Sequence, residues 1–197
     1  MIGQPRSWSQ YGPAYHIRPL KPVPIDIYSQ FLWWVATPTA YTEGETCRLT
    51  PTWISVVFEV GRWLEDEHIS EYISLLSHRQ LACKEMIPQH WTVASPHLYE
   101  DIAHGDDVLD TAIQPLCIYI PYLLDQTEFY RYRTDVIQSL EAFTYIRPIE
   151  GIPHQQLDSG DYGIFTCMFI QHLGLGLPLC FRAEDSELMR TRVAVDL

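Results

Sequence analysis

The residues best suited to chemistry sit together in one stretch, Gln155-Gln156-Leu157-Asp158-Ser159-Gly160-Asp161-Tyr162-Gly163-Ile164-Phe165-Thr166-Cys167. A polar, glycine-containing turn opens here directly into an apolar run, residues 164–173. That pattern predicts a buried helix closed by Gly174 as its C-cap. The first residues of such a helix lie where backbone N–H groups and the positive end of the helix dipole converge. A nucleophile placed there has its anion stabilised, and a glutamine a few residues upstream can donate to a developing oxyanion. This is the physical layout of a cysteine-peptidase active site.

The elements that must position this stretch are readable in outline. Residues 4–24 carry five prolines (Pro5, Pro13, Pro19, Pro22, Pro24) and read as an irregular arm. The arm runs into an apolar patch over residues 25–36 that needs something to pack on. Residues 52–60, TWISVVFEV, mix β-branched and aromatic side chains and fit either a strand or a buried helix. Residues 65–81 read as an amphipathic helix. Ile69, Tyr72, Ile73 and Leu76 take one face, and Glu67, Ser70, Glu71, Ser74 and Ser77 take the other. Asp106 or Asp107 caps a further helical run to residue 124, in which Pro115 restarts the helix and Pro121 kinks it. Residues 143–149 read as a strand, followed by a turn-rich stretch to Gly163. Helices, a strand, a buried helix and a tail make an α+β order without regular βαβ alternation.

Composition narrows the functional classes. The chain has 197 residues, 47% hydrophobic, with a net charge of −12 and only two lysines, Lys21 and Lys84. That hydrophobic fraction argues for a folded core. The acidic balance repels phosphate backbones, so no nucleic-acid partner is expected. Pro and charged residues interrupt every apolar run, so no membrane span is expected, and the first residues lack the pattern of a signal peptide. Five widely spaced cysteines (Cys47, Cys83, Cys117, Cys167, Cys180) form no CxxC pair. They read as reduced, mostly buried thiols of an intracellular protein, in nucleus or cytoplasm. Eight histidines without i, i+4 pairing predict no metal site, and no cofactor is expected. GxSxG, HExxH, P-loop and EF-hand signatures are absent, and the GxG at Gly174–Gly176 follows a helix instead of a strand.

The stretch around Tyr162 resembles the nucleophile segment of the Ulp-type cysteine peptidases, which cleave SUMO and related ubiquitin-like modifiers. Their pattern is similar to Q-x-x-x-G-D-C-G-[IV]-F-x-C. Gln156, Gly160, Asp161, Gly163, Phe165 and Cys167 match it. Residues 63–72, WLEDEHISEY, resemble the family's W-L-x-D-x-x-I-x-x-Y helix, whose Trp and Asp face the bound modifier. His90-Trp91 is similar to the catalytic His and the Trp that roofs the diglycine tunnel. The tail FRAEDSELMRTRVAVDL and the run IQPLCIYIPYLL look like those of the plant, transposon-associated branch. The resemblance covers about residues 50–197, leaving 1–49 as an irregular Pro-rich and aromatic N-terminal arm.

What the resemblance implies is specific. The fold would be the papain-like cysteine peptidase fold, truncated in its central sheet, because Trp63 and His90 are closer in sequence than in the family. Either the catalytic hairpin is shortened, or the His-bearing strand is missing. His90 would be the general base, Asp101 (beside Glu100 in LYED) its orienting acid, and Gln156 the oxyanion donor. Trp63, Asp66 and Trp91 would bind a SUMO-type modifier. The nucleophile position itself holds Tyr162. A free phenol is only about 0.1% ionised at pH 7 and is a poor acyl acceptor. Its ring would also fill the slot meant for two glycines. Cys167, one and a half turns further on, is expected in the core. The expected function is therefore a deconjugating peptidase by ancestry, impaired in this copy. A modifier-binding pseudo-peptidase and a decayed transposon-derived fragment are the alternatives.

Overall fold

The computed structural model describes residues 18–83, 85, 87, 106–132, 137–145, 151–153 and 160–197. The chain divides into two compact units, one formed by Met1–Val93 with Ile152–Leu197, the other by Ala94–Gly151.

In the first unit, Pro24 precedes helix α1 (Ile25–Val35), where a proline's fixed φ and missing N–H cost the helix nothing. The helix is the apolar patch that the sequence leaves in search of a partner, so this part of the arm is helical and not irregular. Ile27 and Phe31, one turn apart, are buried, and Phe31 meets the Phe58 ring edge-on at 5.4 Å. Two short strands follow, β1 (Thr42–Glu43) and β2 (Arg48–Leu49), paired antiparallel with Thr42 opposite Leu49. Residues 52–60 resolve to helix, as α2 (Pro51–Phe58). Thr50 accepts the Trp53 N–H at 3.2 Å, and Pro51 occupies the first turn.

Helix α3 (Asp66–Ala82) buries Tyr72, Ile73 and Leu76 as its periodicity requires. Glu71, assigned from sequence to the solvent face, is buried instead. Its carboxylate accepts from the N–H groups of Glu45 and Thr46 and from the Thr46 hydroxyl, tying the β1–β2 turn to α3. Gly44 leaves room for that carboxylate, because a Cβ there would collide with it.

Helix α5 (Tyr162–Leu175) is apolar on nearly every side and lies in the core, burying Ile164, Phe165, Cys167 and Met168. Its C-cap is Gly176, at φ +65°, and not Gly174, which is buried within the helix. The left-handed conformation lets Leu177 N–H return to His172 O at 2.8 Å. After a short 3-10 turn (Ala183–Asp185), helix α6 (Ser186–Asp196) closes the unit, packing on α2 and α5. Several of its polar residues are buried. Asp196 takes Arg79 at 2.9 Å and Arg192 at 3.3 Å, all three side chains being buried. Beside them, Tyr72 donates to Gln171 at 2.8 Å, and burial pushes its phenol well above the ordinary range.

In the second unit, helix α4 (Asp106–Gln126) runs continuously through Pro115 and Pro121, so Pro115 does not restart a helix. Pro121 has no N–H for the Cys117 carbonyl four residues earlier. That carbonyl accepts instead from Phe143 N–H at 2.9 Å. Residues 143–145, expected to begin a strand, are not strand, and residues 146–149 lie outside the described ones. The described residues thus form helices and one small sheet, consistent with α+β. No helix among them is long and apolar enough to cross a membrane. Of the five cysteines only Cys167 is buried, fewer than expected; Cys47, Cys83 and Cys117 are half-buried and Cys180 is exposed.

Candidate functional site

The site is built from two backbone segments in direct contact, residues 60–64 ahead of α3 and residues 160–163 at the start of α5. Two glycines make the approach possible. A Cβ on Gly160 would collide with Gly61 O and stand 2.6 Å from the carbonyl carbon of Arg62. One on Gly163 would stand 2.6 Å from Leu64 Cβ. Gly61 itself turns the chain at φ +79°, a conformation glycine adopts without steric penalty.

Arg190 of α6 clamps the two segments from beneath. Its side chain is fully buried, and it bonds to four backbone carbonyls and one carboxylate. Nε donates to Asp161 Oδ1 at 2.9 Å. One terminal nitrogen donates to Val57 O at 3.0 Å and Val56 O at 3.3 Å, at the end of α2. The other donates to Gly160 O at 2.9 Å and to Arg62 O. The planar guanidinium fork satisfies acceptors in three directions, which a lysine could not do. Asp161 is the residue before α5, so the pair fixes both the position and the direction of the helix N-terminus.

Two aromatic rings stand above this clamp. Tyr162 is the first residue of α5 and is 55% exposed; Trp63 is 60% exposed. They stack with centroids 5.9 Å apart and planes 13° from parallel. Asp66 begins α3, and its side chain is half-buried. Residue 163 must be small and Tyr162 is exposed, so the helix begins with a ring stacked on Trp63.

Cys167 is in the core, as expected. Burial pushes its thiol up to about 12, with the positive charge of Arg190 pulling weakly the other way. A thiol so held carries almost no thiolate at neutral pH and has no access to substrate. Tyr162 and Trp63 thus meet at the start of α5 and Asp66 stands at the start of α3, whereas His90, Trp91, Asp101 and Gln156 lie outside the described residues. Among the described residues, no group of three His, Cys, Asp or Glu side chains could hold a metal ion.

Sequence reasoning missed Arg190, which organises the site. The signal was present: in ELMRTRVAV, Arg190 falls on the same helical face as Ser186, Met189 and Val193, where an arginine needs buried partners.

A search of curated proteins gives no match. The family model of the Ulp1 protease family, C-terminal catalytic domain, matches residues 99–197, which include Asp101, Gln156, Tyr162 and Arg190. Trp63, Asp66, His90 and Trp91 precede the matched span. With half of its length so matched, the chain belongs to the Ulp1 protease family.

Proposed function

We propose that this chain is a SUMO-type deconjugating peptidase domain by ancestry whose nucleophile position is occupied by Tyr162, and that it docks a ubiquitin-like modifier without cleaving it. The observation that carries the reading is the Trp63–Tyr162 stack at the start of α5. A helix start of this kind would stabilise an oxyanion, and its first residue offers a phenol where a thiolate would be needed. The buried Cys167 cannot substitute. In this reading Gln156 descends from the oxyanion donor, His90 from the general base and Asp101 from its orienting acid. Trp91 belongs with them as the roof of the diglycine tunnel. Trp63 and Asp66 face the modifier, and the exposure of Trp63 supports that role. The central sheet is truncated, and the chain belongs to the plant, transposon-associated branch, acting inside the cell.

Covalent capture tests the proposal. Wild type and Tyr162→Cys are incubated with SUMO-type modifiers carrying a C-terminal thiol-reactive warhead. Wild type stays unlabelled and turns over no diglycine-linked substrate; labelling at Tyr162 or turnover overturns the proposal. Labelling of Tyr162→Cys alone identifies one substitution as the cause of silence. Docking is read separately by titration with unmodified modifier. Asp66→Arg is expected to abolish binding, and failure of wild type to bind removes the docking half of the proposal.

A further inference from the structure

A cleft of about 430 Å³ lies between the turn ahead of α1 and the loop that follows α5. The cleft is wide open to solvent, and its volume and its mainly apolar walls with a few polar groups are those of a small-molecule site. The walls here are Leu20 and Pro19 on one side and Leu177 and Pro178 on the other. Both walls are pinned. Lys21 N–H bonds to Arg18 O at 3.0 Å, and Lys21 O accepts from the buried Arg192 at 3.3 Å. Opposite, Leu177 N–H returns to His172 O at 2.8 Å, and Cys180 N–H to Pro178 O at 3.0 Å.

The charge of the cleft is unusual for this chain. Among the described residues its lining includes Arg18 and Lys21 and no acidic residue, in a protein of net charge −12. Arg79, Arg190 and Arg192 are all engaged in buried ion pairs. Arg18 and Lys21 are exposed and have no ion-pair partner among the described residues. The third polar group of the lining is His172, which is buried. Its Nδ1 lies 2.8 Å from Pro178 O, and because a carbonyl only accepts, Nδ1 carries the proton. Nε2 is then an acceptor, buried and without a partner among the described residues. Burial lowers the pKa of this imidazole, so it stays neutral and the field of the cleft comes from the two cations.

We infer that this cleft binds a small organic monoanion, a carboxylate carried on an alkyl or aryl body, with the carboxylate at Arg18 and Lys21 and the body between Leu20 and Leu177. Inorganic phosphate would leave the apolar walls uncovered, and a polyanion would meet the repulsion of the whole chain. None of the residues of the Trp63–Tyr162 site takes part, so the inference stands apart from the proposed function.

Cys180, exposed on the cleft wall, provides the readout. Octanoate and 1-octanol are compared for their ability to slow iodoacetamide labelling of Cys180 in the full chain, with the labelled cysteine identified by peptide mass. Octanoate is expected to protect at concentrations about tenfold lower than octanol, the scale of one charge-assisted contact. The double variant Arg18→Glu, Lys21→Glu, which alters only exposed side chains, is expected to erase that difference. Leu177→Trp, which fills the cleft, should remove protection by both. No protection by millimolar octanoate, equal protection by octanol, or protection surviving the charge reversal overturns the inference. Should Leu177→Trp not fold, the charge reversal decides alone.

Discussion

Replacing Arg190 with methionine keeps most of the side-chain volume and removes every donor of the clamp. Asp161, whose side chain is only 11% exposed, then holds an unpaired charge, and the carbonyls of Val57 and Gly160 lose their buried partner. Breaking a buried ion pair by removing one partner costs about 3–5 kcal/mol. Each orphaned carbonyl adds roughly 1 kcal/mol. We expect a loss of about 5–7 kcal/mol, a large part of the 5–15 kcal/mol that typically holds a domain together. Urea unfolding followed by far-UV circular dichroism, extrapolated to water, measures it. Asp161→Asn alone should cost about 1–3 kcal/mol, since the amide can still accept from Nε. The double variant Arg190→Met, Asp161→Asn should be less destabilised than the sum of the two, by at least about 2 kcal/mol. A loss below about 1 kcal/mol for Arg190→Met, or additivity of the two changes, would refute the clamp. Where Arg190→Met yields no folded protein, Asp161→Asn and the double variant still decide.

Four further outcomes follow from the same packing. Gly160→Ala should destabilise by about 1–3 kcal/mol, because its Cβ meets backbone that cannot turn aside, and circular dichroism melts will show the lowered midpoint. Glu71→Ala leaves the N–H groups of Glu45 and Thr46 unpaired and should cost about 3 kcal/mol, read by urea unfolding. Between the ordinary thiol value of 9.0 and about 12, Cys167 keeps its proton in the native state while the unfolded chain loses it. Stability should therefore fall as pH rises above 9, and Cys167→Ala should flatten that slope. In native protein at pH 8, iodoacetamide should label Cys180 well before Cys167.

Local pattern carried much of the architecture. The apolar run after Gly163 is a buried helix, and the 3.6-residue period of residues 65–81 is α3 with its Tyr72, Ile73 and Leu76 face inward. These elements are encoded by spacing, which needs no knowledge of neighbours. Residues 52–60 were ambiguous for the same reason: a short apolar run suits a buried strand or a buried helix, and only Thr50 and Pro51 at its start tip it to helix.

Burial of polar residues was not legible. Glu71 looks like a solvent-face residue until the β1–β2 turn brings two N–H groups and a hydroxyl to it. Arg79, Arg190 and Arg192 look like an ordinary basic surface until Asp196, Asp161 and a set of backbone carbonyls enclose them. Desolvating a charge is unfavourable unless partners from distant segments compensate, and sequence spacing does not record which segments meet. From sequence alone came the family resemblance, the helix that presents residue 162 and the expectation that Cys167 belongs to the core. That Trp63 reaches Tyr162 across a hundred residues, and that one buried arginine holds them there, was decided only when the chain folded back on itself. The reason is physical: stacking and ion pairing act over a few ångströms in space, whatever the separation along the chain.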